Sequence, residues 1–298
     1  MQSSRAFSPG HVTGFFSIRP HAEPLRHGSL GAGFSVARGV TTTVGSLGSD
    51  EVTLNHETLS DAPVSRAVLR LFRSHTGWKE PVTIAHETDL PVGCGFGTSG
   101  AAALSLALAL NELAVTGLSR DVCGELAHLA EIECGTGLGT VLGESHGGFK
   151  ASLEPGAPGT GKVQPLPSPE GLTSVFLVLG PLATSGMLKN PKIREAVNRE
   201  GEVLRMTLLE DPRWSEFLRL SERFGRQTQL VGPHLAGIQK RLAQSGLTSP
   251  MLMFGNGLFT LVEKTAAAAA VDAYSQIGEG RVFSCELDPK GARLIHEN

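Results

Sequence analysis

The chain has 298 residues, 40% of them hydrophobic, and a formal net charge of −3. That length suffices for one large domain or two ordinary ones with a full core, and the near-neutral balance offers no basic footprint for nucleic acid. The long apolar run from Ala101 to Leu110 is too short to span a bilayer. No charged-then-apolar leader is visible, and the scattered Cys94, Cys123, Cys134 and Cys285 contain no Cys-x-x-Cys pair. A cytoplasmic protein with reduced thiols, no membrane contact and no zinc site is expected.

In chain order, residues 4–8 and 14–18 read as short strands around a Pro9-Gly10 turn. Residues 32–37 and 40–44 suggest a hairpin with Gly39 near its turn, and 52–55 and 82–86 alternate as strands do. Residues 62–74 carry Val64, Ala67, Val68, Leu71 and Phe72 at helical spacing, and 100–113 and 119–132 are the next two helices. The stretch 154–171 is crowded with Pro and Gly and marks the best domain boundary. Beyond it come a buried strand at 174–179 and helices at 192–209, 213–224 and 233–245. An apolar strand at 250–261 is broken by Gly255-Asn256-Gly257, and an Ala-rich helix at 264–277 and a strand at 282–287 follow. This order argues an α+β protein of two domains.

Chemistry concentrates at residues 91–100, Pro-Val-Gly-Cys-Gly-Phe-Gly-Thr-Ser-Gly, which run straight into an apolar helix. Gly93, Gly95, Gly97 and Gly100 let a ligand approach the backbone closely, and Thr98 and Ser99 sit where a helix N-cap belongs. Free N–H groups and the positive end of the helix dipole then form an anion site suited to polyphosphate. The loop is neither a Walker A sequence nor a dinucleotide fingerprint. Taken alone, it also reads as a glycine-rich turn before a core helix.

Pro91-x-x-x-Gly95-x-Gly97-x-Ser99 before an Ala/Leu helix resembles the central motif of the GHMP kinases, in which the loop wraps the triphosphate of ATP. Further stretches match: Ser8-Pro9-Gly10-His11-Val12-Thr13-Gly14-Phe15-Phe16, the helical His128-Leu129-Ala130-Glu131, and Met253-Phe254-Gly255-Asn256-Gly257. With Gly28-Ser29-Leu30-Gly31-Ala32-Gly33 and Gly135-Thr136-Gly137-Leu138-Gly139, the pattern over about residues 5–290 is similar to the archaeal pantoate kinases within that superfamily.

The resemblance implies a two-domain GHMP kinase fold. Residues 1–165 would form an N-terminal, nucleotide-binding, ribosomal-protein-S5-domain-2-like unit, and 166–298 a C-terminal, ferredoxin-like α+β unit. It implies ATP and Mg²⁺, with ATP at Pro91, Gly93, Gly95, Phe96, Gly97, Thr98, Ser99 and Gly100 and the metal on Ser99 and Glu131. It implies a small hydroxy acid, pantoate, near His11, Thr13, Ser29, His128, Gly255 and Asn256, with Ser99, Glu131, Thr140 and His128 in catalytic roles. A homodimer is the family's tendency. Homoserine, mevalonate or a sugar as acceptor, and a non-catalytic ATP or metabolite binder, stay open. One departure stands out: relatives commonly place Asp after Gly-Leu-Gly, where this chain has Thr140, and the nearest downstream carboxylate is Glu144. Thr orients a hydroxyl but does not accept its proton at neutral pH. Lys150, Arg26 and Arg38 are the candidate cations for the transferring phosphoryl group.

Overall fold

The computed structural model describes residues 3–46, 49–182 and 190–296. Two long antiparallel strands, β1 (Ser3–Arg19) and β2 (Gly28–Gly45), form its spine and pair along nearly their whole length. Both are buried over most of their residues, so they lack the alternation of a one-sided strand. The expected Pro9-Gly10 turn is instead a shift of register between Pro9 and Gly10 inside β1, and Gly39 lies within β2 opposite Pro9. A bulge accommodates a missing N–H donor and bends the strand without ending it.

The first sheet runs β11 (Arg293–Leu294), β1, β2, β5 (Thr83–Glu87), β3 (Glu51–Leu54), β4 (Glu57–Thr58). On the other stretch of β2 it adds β6 (Phe149–Glu154), followed by β7 (Lys162–Pro165). The Pro/Gly-rich boundary region therefore holds a strand of this sheet. Helix α2 (Thr98–Leu113) lies on β1 and β2, flanked by α1 (Pro63–Thr76) and α3 (Arg120–Cys134). Apolar almost all round, α2 is a core helix with neighbours on every side. Ser119 caps α3 by accepting from Val122 N. The short α4 (Thr140–His146) then leads into β6.

The second sheet is antiparallel, in the order β10 (Arg281–Glu286), β8 (Thr173–Pro181), β9 (Gly255–Val262), and an isolated bridge joins Met251 to Leu258. The glycines at 255–257 open β9 and do not break it, because their small size admits Cys94 and the β8 backbone at close range. Helices α5 (Pro191–Glu210), α6 (Trp214–Gln227), α7 (Pro233–Gln244) and α8 (Ala267–Ser275) complete this half. In α6 the buried Phe217, Leu218, Leu220, Ser221 and Phe224 make one helical face. The expected helix at 264–277 opens with a 3-10 turn over Lys264–Ala266. Helices α5 and α6 pack on β1, so Phe15 touches Phe217 and Phe224 across the two halves. The α+β architecture expected from the element order is the one observed.

Candidate active site

The loop 91–97 crosses from β5 to α2 in left-handed steps at Gly93, Gly95 and Gly97 (φ 74°, 88° and 66°). A Cβ on Gly95 would stand 2.5 Å from the carbonyl oxygen of Met253, so the turn before β9 presses on the loop's backbone. Gly97, not a hydroxyl residue, is the N-cap of α2, and no side chain caps the helix. Thr98 is its first helical residue, which corrects the expectation that Thr98 and Ser99 serve as the cap. The opening N–H groups of α2 are thereby left to an external acceptor. Pro91, Gly95, Thr98 and Ser99 are half-buried and Gly93 is exposed. Gly100 is buried. The Phe96 ring turns away from the loop into the core, edge-on to Phe176, and the Phe96 carbonyl accepts from His11 N. Phe96 therefore contributes to a ligand through its backbone alone.

At the start of α2, Ser99 Oγ donates to Glu131 Oε1 at 2.5 Å, and Thr136 Oγ1 donates to the same oxygen at 2.6 Å. The spacing that puts Glu131 near the end of α3, and the Gly135 turn that returns Thr136 over it, build this cluster. Burial pushes the Glu131 carboxyl above its ordinary range, against the pull of the two hydroxyls. A cation would relieve that penalty. One carboxylate and one hydroxyl are the hard oxygen donors a partly phosphate-bound Mg²⁺ takes, so the residues fit the metal. Among the described residues no group of three or more His, Cys, Asp or Glu forms a self-sufficient metal cage.

Gly137, Gly139 and Thr140 lie beside this cluster. A Cβ on Gly137 would meet Glu131 Oε2 at 2.2 Å, and one on Gly139 would meet Ser29 Oγ at 2.5 Å. Thr140, first in α4, has its methyl 2.4 Å from where a Cβ on Gly97 would be. His11 is buried at the same junction, its ring against Gly143 and Gly33. Its Nδ1 has no hydrogen-bond partner among the described residues. Burial first, then the Lys150 charge, holds the His11 ring well below its ordinary pKa, so it is neutral. Thr13, next but one along β1, pairs with Gly33 at the second register shift.

His128 is set apart by its contacts. Its buried Nε2 lies 2.9 Å from the His27 carbonyl and 3.3 Å from that of Pro24, pinning the turn between β1 and β2. That nitrogen is thus engaged by main-chain acceptors of the turn. Gly255 and Asn256 lie across the loop from α2, where a Cβ on Gly255 would be 2.1 Å from the Cys94 carbonyl oxygen.

The three candidate cations are all engaged. Arg26 pairs with Glu23 at the surface, and Arg38 pairs with Asp89 at 3.0 Å while stacking over Phe283. Lys150 is buried, and its Nζ donates to Ser35 Oγ and to the carbonyls of Gly147 and Gly148 at 2.8–3.0 Å. Burial lowers its pKa to about 7. Two residues carry more than their sequence context announces. Thr136 belongs to the Ser99–Glu131 cluster, which only its place after a helix-ending glycine hints at. Glu144, fully buried, sits under Gly97 and Gly100. A cleft of 510 Å³ lined by Arg38, Thr41, Asn55, Glu87, Thr88 and Asp89 opens just upstream of Pro91. It is assembled from three strands and their turns, so no single motif marks it.

Residues 63–144 match the GHMP kinases N terminal domain. The chain is 31% identical over 258 residues to a pantoate kinase of Methanocaldococcus jannaschii, covering 87% of this chain and 92% of that one. It is 32% identical over 282 residues to a pantoate kinase of Thermococcus kodakarensis, covering 92% of each. Among solved structures it is similar to a phosphotransferase related to the CoA biosynthesis pathway, with a TM-score of 0.89 and 30% identity over 98% of both chains. A homoserine kinase from Cytophaga hutchinsonii shares the fold at a TM-score of 0.73 and 17% identity, over 99% of this chain and 98% of that one. Sequence kinship along nearly the whole length, together with the uncapped glycine loop and its hydroxyl–carboxylate cluster, establishes that the chain belongs to the pantoate kinases of the GHMP kinase superfamily.

Proposed function

We propose that this chain transfers the γ-phosphoryl group of ATP to the primary hydroxyl of pantoate, making 4-phosphopantoate for coenzyme A synthesis. The observation that carries the reading is the Ser99–Glu131–Thr136 cluster at the open N-terminus of α2, in a chain so similar to pantoate kinases. The triphosphate lies over residues 95–100, taking N–H bonds from the loop and the first turn of α2. The nucleoside occupies the cleft at Asn55 and Thr88, whose last lining residue, Asp89, stands two positions before Pro91.

Ser99 and Glu131 would hold Mg²⁺, which would supply charge neutralisation at the phosphates. Pantoate docks beside Ser29, Thr13 and His11, with Gly255 and Asn256 closing the far side. His128 keeps the segment before Ser29 in place. Thr140 orients the attacking hydroxyl. In this reading the nucleotide site belongs to a unit spanning 1–165, and a second unit, 166–298, supplies the closing turn.

Mass spectrometry of the product from ATP-Mg and a panel of pantoate, homoserine, mevalonate and a hexose tests this. A phosphorylated product from pantoate is expected. Ser99→Ala and Glu131→Gln each lower turnover at least roughly tenfold with the fold intact by circular dichroism. Transfer to another acceptor and not to pantoate overturns the substrate, and full turnover in both variants overturns the metal site.

A further inference from the structure

In this chain the position after Gly-Leu-Gly carries a hydroxyl, which leaves the proton of the attacking alcohol without an acceptor. One helical turn further along α4 lies Glu144. Its side chain has no solvent exposure, and neither of its oxygens has a hydrogen-bond partner among the described residues. Burial and then the Glu131 charge push this carboxyl well above its ordinary range, with the Lys150 charge opposing them, and a carboxyl so raised is a strong proton acceptor once ionised.

Its surroundings are those of the phosphate loop. Glu144 Oε1 lies 2.6 Å from the point where a Cβ on Gly97 would stand, and Oε2 lies 2.8 Å from the corresponding point on Gly100. The Thr140 methyl lies 2.4 Å from the same Gly97 point. Thr140 and Glu144, four apart on α4, thus flank Gly97 from one side. Rotating Thr140 about χ1 by one staggered step puts Oγ1 in place of the methyl, on the Gly97 side that Glu144 Oε1 also faces. The opposite rotamer state faces the Gly137 side, where Thr140 Oγ1 is now 3.6 Å from the Gly137 Cβ position. Glu131, Lys150 and His11 are the other titratable groups at this spot, and the Glu131 charge acts on Glu144 more strongly than that of Lys150. The Lys150 ammonium spends its donors on Ser35, Gly147 and Gly148, so it acts on Glu144 through its field and not through a bond.

We propose that Glu144 receives the proton of the acceptor alcohol through the Thr140 hydroxyl, replacing in two residues the acid this chain lacks at position 140. The proposal rests on the kinase reading above. As the alcohol oxygen bonds to the γ-phosphorus, its O–H bond breaks and the proton passes to Thr140 Oγ1. Thr140's own proton passes to a Glu144 oxygen, and the bond from the γ-phosphorus to the bridging oxygen breaks with its electron pair leaving on ADP. Thr140 is the group that touches the substrate; Glu144 acts through it.

The test compares Thr140→Val, Glu144→Gln, their combination, and Thr140→Asp in the Glu144→Gln background. Turnover is measured with whichever alcohol the wild type phosphorylates, and calorimetry follows binding of ATP-Mg and of that alcohol. Thr140→Val and Glu144→Gln each lower kcat about 10²-fold with binding unchanged. The combination loses no more than either alone, because both cut one route. Thr140→Asp restores at least about tenfold of the Glu144→Gln loss, since an acid at 140 bypasses the relay. Wild-type kcat in Thr140→Val, losses that multiply, or no rescue by Thr140→Asp overturns the relay. If Glu144→Gln fails to fold, kcat of Thr140→Val against wild type decides alone. A wild-type chain that phosphorylates an alcohol other than pantoate overturns only the substrate assignment, and one that phosphorylates none overturns both.

Discussion

His86 illustrates how a polar side chain is fitted into this core. Its ring is buried under α1 and α2, with Nδ1 2.8 Å from Thr42 Oγ1 and Nε2 3.0 Å from Ser65 Oγ. Hydroxyls donate or accept as needed, so both nitrogens of a neutral ring are satisfied. Burial lowers the His86 pKa from its ordinary 6.5 to about 4. Between those values the unfolded chain takes up a proton that the native protein refuses, so stability is lost as pH falls through this window. From pH 7 to pH 5 the loss through this ring is about 2 kcal/mol. Urea unfolding at the two pH values should show it as a steeper decline in wild type than in His86→Gln. Parallel declines contradict the assignment. Nothing around His86 in sequence signals this, because Thr42 and Ser65 reach it from a different strand and from α1.

Among the elements, the contact between the phosphate loop and the turn into β9 couples the two halves of the site. Gly255 N donates to Leu252 O, and the Gly255 α-carbon faces the Cys94 carbonyl too closely for any side chain. Gly255→Ala should therefore push the loop off its seat, lowering unfolding free energy by about 1–3 kcal/mol. ATP-analogue affinity should fall in the same variant, by calorimetry. Wild-type stability and affinity together would show that the loop tolerates a methyl group there.

The helices were legible from sequence because their signals are local. Pro191 opens α5, Ser119 caps α3, and Phe217, Leu220 and Phe224 stripe α6. The spine strands were not, because Pro9-Gly10 and Gly39 carry turn chemistry that long-range pairing overrides. The site divides the same way. Ser99 and Glu131 are readable from family-like spacing, whereas the Glu144 environment is created by Gly97 and Gly100 arriving from another helix.

At the scale of the molecule, one apolar cluster joins both sheets, with Val12, Phe15 and Phe34 of the spine packed among Phe176, Phe217 and Phe259, and a second lies between the first sheet and α1, α2 and α3. A boundary at residue 165 would cut through the first of these clusters and leave the second almost whole. A chain cut to residues 1–165 should melt well below the full chain, since it keeps the second cluster but leaves Phe15 and Phe34 bare of their partners. A calorimetric peak from that fragment at the full chain's melting temperature would refute this.

The strand β11 presses the point further. Leu294 pairs with Ala6 at the sheet's edge, Ala292 N donates to Glu144 O, and Gly148 N donates to Asp288 O. A ribosome makes Ala6 some three hundred codons' worth of time before residue 294 exists to meet it. During translation β1 therefore waits with an open edge, and the floor beneath the phosphate loop is fastened only once residues 288–294 have been made. Every nascent chain shorter than that lacks these backbone bonds beneath the loop.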